Sequence, residues 1–146
     1  MNLEILLFLM IGLAAVIEDL VRRRISNYTS GAAAAAGFIV QATQSGWRGL
    51  GYALGGLSVG FAVFLIFYIL GGMGGGDIKL MAGFGAMLGP LSGLHAGIFA
   101  AIAGGLIALA YLFVNVMRGV PGRLTIPYAP AIVIGVWMAK LAAAGK

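Results

Sequence analysis

Only four carboxylates occur in this chain of 146 residues: Glu4, Glu18, Asp19 and Asp77. Glu18 and Asp19 close one apolar run, and Asp77 opens another. Two further apolar runs lie between Asp19 and Asp77, so two membrane crossings would bring both aspartates to the same face, at the ends of different helices. A carboxylate at such a boundary is costly unless it is paired, hydrated or neutralised. Two carboxyls held close share a proton, because both cannot readily ionise at short range. One then activates a water as general base, and the other donates a proton to a scissile carbonyl. That division of labour is the chemistry of an aspartyl protease. Each residue also has a plainer use. Asp19 can pair with Arg22 or Arg23, three and four positions on, and Asp77 can cap the helix it opens.

The residues before Asp77 read Gly71-Gly72-Met73-Gly74-Gly75-Gly76. Such a run is a flexible turn, or an edge against which a substrate backbone lies extended. It is not a phosphate loop, since no Gly-Lys-Ser/Thr follows. Two polar neighbours are also candidates. Lys79 tunes the aspartate pair, contacts the substrate or is a topology-setting cation, and Asn27 caps the next apolar run or supports the site.

The elements that must position these residues are membrane helices. The chain is 62% hydrophobic and only 9% charged, too little charge to clothe a soluble domain. Six apolar segments can be marked, at roughly 3–18, 28–44, 50–71, 78–92, 95–117 and 127–144. The expected fold is all-α: one polytopic domain over 1–146 with six transmembrane helices. Gly89-Pro90 breaks the fourth segment from the fifth, and the N-terminal run, opening Met1-Asn2, reads as a retained helix rather than a signal peptide. Arg22, Arg23, Arg24, Lys79, Arg118 and Arg123 fall on one side, against Arg48, Lys140 and Lys146 on the other. The first side is therefore expected to be cytoplasmic, in a cell inner (plasma) membrane protein with both termini outside.

Several classes are excluded. The net charge of +5 sits in short loops, where topology explains it better than nucleic acid. There is no cysteine, so thiolate catalysis and cysteine zinc sites are absent, and the single His95, expected in an outer loop, cannot supply a multi-histidine metal site. No metal or cofactor is expected. Gly56-Leu57-Ser58-Val59-Gly60 matches a nucleophile elbow in letters but lies in an apolar span. Together with Gly51/Gly55, Gly85/Gly89 and Gly93/Gly97, its glycines read as helix packing. Trp47, Tyr128 and Trp137 read as interfacial aromatics. A small transporter or channel component is the rival from another class, because intramembrane carboxylates and glycine-broken helices also mark ion pathways.

Three strings carry a resemblance. Met73-Gly74-Gly75-Gly76-Asp77-Ile78-Lys79-Leu80 resembles the Gly-x-Gly-Asp motif of intramembrane aspartyl proteases in its type IV prepilin peptidase version. Asp19-Leu20-Val21-Arg22-Arg23-Arg24-Ile25-Ser26-Asn27 resembles that family's first catalytic segment, with Ser26 where proline is usual. Ile126-Pro127-Tyr128-Ala129-Pro130-Ala131 resembles the start of its last helix. The resemblance implies that Asp19 and Asp77 are the catalytic pair, with Gly74, Gly76, Lys79 and Asn27 in support. It implies cleavage of the basic leader from prepilin or pseudopilin precursors at the cytoplasmic face. With no cysteine and no room for an added methyltransferase domain, the chain looks like the short form associated with Flp-type (tight adherence) pili. The archaeal preflagellin peptidases are a related group.

Overall fold

The computed structural model describes residues 3–119 and 126–145. Arg123, Lys146 and the Met1-Asn2 start lie outside them. The described chain forms α1 (Leu3–Arg22), α2 (Asn27–Ile69), α3 (Gly75–Leu88), α4 (Pro90–Met117) and α5 (Ala129–Ala144). Five helices stand where six segments were expected, because α2 takes in both the second and the third. Its 43 residues are interrupted at Gly46, whose φ of 57° and ψ of −134° no side-chain-bearing residue adopts cheaply.

α2 doubles back at Gly46. On the first arm Gly37 meets Ala86 and Met87; on the second, Gly56 meets Gly85. Farther from the bend, Ser30 and Ala33 meet Gly83, and Gly60 meets Met81 and Ala82. The two arms therefore run antiparallel with α3 laid against both. A Cβ at Gly60 would lie 2.5 Å from the Met81 carbonyl oxygen, and one at Gly37 would lie 2.6 Å from the Met87 nitrogen. Small residues are what let these backbones approach so closely. From Asp77 to Met87 every α3 residue except Lys79 is buried, as befits a helix apolar all round.

The bend between α3 and α4 falls at Gly89 (φ 79°), with Pro90 opening α4 as the sequence indicates. His95 lies within α4 rather than in a loop, because the helix restarts immediately after that glycine. Ser58 is likewise helical, its hydroxyl donating to the Leu54 carbonyl at 2.9 Å. α1 closes the bundle through Phe8, which stacks on Phe84 of α3 at 5.8 Å and lies 6.4 Å from Trp137 of α5. Glu4 and Lys140 form an ion pair at the far end of the same two helices. α2 and α4 are each long and apolar enough to cross a membrane, with mean hydropathies of 2.0 and 2.3.

Not every glycine on the packing list is used. A Cβ on Gly56 would fall 2.8 Å from the carbonyl carbons of Gly85 and Gly89, whereas one on Gly51 would meet nothing within 4 Å. Gly56→Ala should therefore destabilise the chain by about 1–3 kcal/mol, the usual cost of forced overpacking. Gly51→Ala should leave thermal unfolding in detergent unchanged or slightly raised. Equal unfolding temperatures for the two variants would show that the α2–α3 packing is not as described.

Candidate active site

α1 ends abruptly. Arg23 takes a left-handed φ of 54°, and its N–H donates to the Asp19 carbonyl at 2.9 Å. The chain then turns through Arg24 and Ile25 into α2. This puts Asp19 in the last turn of α1, 6% exposed. Its Oδ2 accepts the Ala129 N–H at 2.8 Å. That N–H belongs to the first residue of α5, one of the groups at a helix start that find no acceptor within the helix. Tyr128, at the cap position, offers no side-chain acceptor, so Asp19 supplies one from across the chain.

Asp77 is placed by the same physics with a local partner. It is the third residue of α3, and its Oδ2 accepts the Gly74 N–H at 3.0 Å. This is the reach-back half of a capping box. Asp77 is 9% exposed. The N-cap place open to Asp77 in the sequence is taken by Gly74, and Asp77 reaches back to it from the third position.

Both carboxylates line one cavity of about 350 Å³. Its walls are the end of α1 with Arg23, Arg24 and Ile25, the glycine run from Gly71 to Gly76, and Ile126 and Tyr128 ahead of α5. Gly74 and Gly76 stand in this wall. Gly76 lies directly against Ile25: a Cβ there would meet the Ile25 Cβ and carbonyl oxygen at 3.2 Å each.

Lys79 and Asn27 are not among the residues lining this cavity. The Lys79 ammonium donates to Asn27 Oδ1 at 2.9 Å, joining the starts of α3 and α2 beside a separate apolar groove. Two positions past Asp77 on a helix is about 200° of rotation, which turns Lys79 to the opposite flank. Their place in the structure is as a tie between helices. The sequence reading missed Tyr128 as a cavity residue, taking it for an interfacial aromatic. Its ring fits because Gly104 leaves room: a Cβ there would lie 2.6 Å from Cε1. The only sequence signal for it was its place in the Ile126-Pro127-Tyr128 string. Among the described residues, no three His, Cys, Asp or Glu side chains gather as metal ligands do.

Asp19 thus has a structural bond of its own. Asp19→Ala should lower stability by about 1–3 kcal/mol, the cost of leaving a buried donor unpaired. Asp19→Asn, whose amide oxygen still accepts the Ala129 N–H, should unfold within a few degrees of the parent. Thermal unfolding in detergent micelles reads the difference, and equal stability of the two variants would contradict the α1–α5 bond.

A profile of the type IV leader peptidase family matches residues 6–109. Neither a curated protein nor a solved structure matches the chain. The matched region holds Asp19, Asp77 and the whole glycine run, while Ile126 and Tyr128 fall beyond it. The profile and the cavity converge on the same segments, and the chain belongs to the type IV leader peptidase family.

Proposed function

We propose that this protein is an aspartyl endopeptidase, with Asp19 and Asp77 as its catalytic pair. It removes the leader from type IV prepilin-like or pseudopilin precursors at the cytoplasmic face of the membrane. The observation that carries this reading is the arrival of two buried carboxylates, from separate helices, in one cavity walled by glycine backbone. One aspartate, ionised, takes a proton from a water whose oxygen attacks the scissile carbonyl carbon. The other, protonated, gives its proton to the carbonyl oxygen. As the tetrahedral intermediate collapses, the C–N bond breaks, the leaving amine takes the proton that the first aspartate had drawn from water, and a hydroxyl of the intermediate returns a proton to the second. Backbone donors already fix both carboxylates, so little rotamer freedom is lost when water and substrate enter. The glycine run leaves open backbone beside the pair, suited to a substrate strand drawn out of its helix.

Asp19→Asn and Asp77→Asn should each abolish conversion of a co-expressed leader-bearing precursor to its mature form. The double variant should be little worse than either single, because the two act as a unit. The assay is the fraction processed on a gel at matched enzyme levels. Substantial conversion by well-expressed Asp77→Asn would end this mechanism.

The six rods, counting the two arms of α2, are read as six transmembrane spans with the Asp19 end cytoplasmic. The chain has no cysteine of its own, so single introduced thiols report cleanly. Arg24→Cys and Ser45→Cys, one at the α1–α2 turn and one at the α2 bend, should label from opposite sides of a sealed vesicle. Labelling from the same side would remove the six-span topology.

A further inference from the structure

The turn between α1 and α2 is held by a contact that the chemistry above does not use. Glu18, adjacent to Asp19 but on another face of α1, accepts two hydrogen bonds from Ser26. The Ser26 N–H donates to Oε2 at 2.9 Å, and its hydroxyl donates to Oε1 at 3.0 Å. Ser26 is also the N-cap of α2, its Oγ accepting the Thr29 N–H at 3.2 Å. The Thr29 hydroxyl lies 3.1 Å away. A hydroxyl has one donor and two acceptor sites. Ser26 thus meets Glu18 and the first turn of α2 at once.

The stretch that this clasp closes carries Asp19 at one end and Arg23, Arg24 and Ile25 of the cavity wall within it. Ile25, 8% exposed, presses on Gly76, the residue before Asp77. Arg23 holds a left-handed φ of 54° in the same stretch, a conformation that persists only where the surroundings over-determine it.

We propose that Glu18 is a positioning residue for the aspartate pair, acting through Ser26 to hold the 23–25 wall against Gly76. Its catalytic consequence rests on the peptidase reading; the clasp itself does not. Ser26 has φ −73° and ψ 152°, close to the φ of about −65° that proline imposes. Proline at this position would therefore keep the turn while removing both donors to Glu18. It exchanges a hydrogen-bonded restraint for a covalent one, and Glu18 becomes redundant.

Two readouts on the full chain in detergent micelles test this. The first is the maleimide labelling rate of Ile25→Cys, a unique and buried thiol. The second is kcat and KM for a leader-bearing prepilin-like precursor, with Ile25 intact. Glu18→Ala should raise the labelling rate and lower kcat by about tenfold each, the worth of roughly one charge-assisted hydrogen bond, with KM little changed. Glu18→Gln, which keeps an acceptor oxygen, and Ser26→Ala, which keeps the N–H, should each fall between. In a Ser26→Pro background, Glu18→Ala should alter neither readout. Equal losses in both backgrounds, or a labelling rate indifferent to Glu18, would overturn the proposal. If the unaltered chain leaves the precursor uncut, the peptidase reading fails, and the labelling rates alone then decide the clasp.

Discussion

The bond between the Asp19 carboxylate and the Ala129 N–H joins the last turn of α1 to the first turn of α5. The start of any helix presents backbone donors that the helix itself cannot satisfy. α5 has no capping side chain of its own, and in a dry bundle an unpaired N–H is expensive. Asp19 meets that demand, and the demand in turn fixes where Asp19 points. Asp77 stands in the same relation to α3 through Gly74. Both acidic groups are thus anchored by the folding requirements of helix ends. Bundle closure and site geometry share atoms, so neither can drift without the other.

The second constraint is the slot that α2 makes for α3. A helix buried on nearly every side leaves no face free for adjustment. Its axial position is set where Gly56 and Gly60 on one arm, and Gly37 on the other, admit its backbone. Phe84, near the middle of α3, stacks on Phe8 of α1, which locks the two aspartate-bearing helices together away from the cavity. The height of Asp77 relative to Asp19 is therefore decided by packing well below the carboxylates.

Much of this was legible in the sequence, for identifiable reasons. Counting apolar runs placed Asp19 and Asp77 at one end of the bundle, because crossing parity does not depend on where each helix stops. The Gly89-Pro90 break was readable for its backbone chemistry. Gly46, lying between two apolar runs, marked a boundary but not how tightly the arms fold back on α3. What stayed hidden were partners chosen by three-dimensional proximity. Nothing periodic points from Asp19 to Ala129, or from Glu18 to Ser26. Lys79, which the resemblance puts in support of the pair, is carried by helical rotation to the other flank of α3, where it bonds Asn27.

The length of α3 has a consequence for the lipid around it. Its 14 residues rise about 21 Å at ~1.5 Å each, short of a hydrocarbon core near 30 Å. Under the six-span reading, a helix so short cannot reach both headgroup layers. Either the bilayer thins around the protein or Asp77 sits below the surface in a water-bearing recess, and each adjustment costs only fractions of a kcal/mol per Å of mismatch. In both cases, on that reading, the end of α3 that carries Asp77 meets a bilayer that has had to adjust to it.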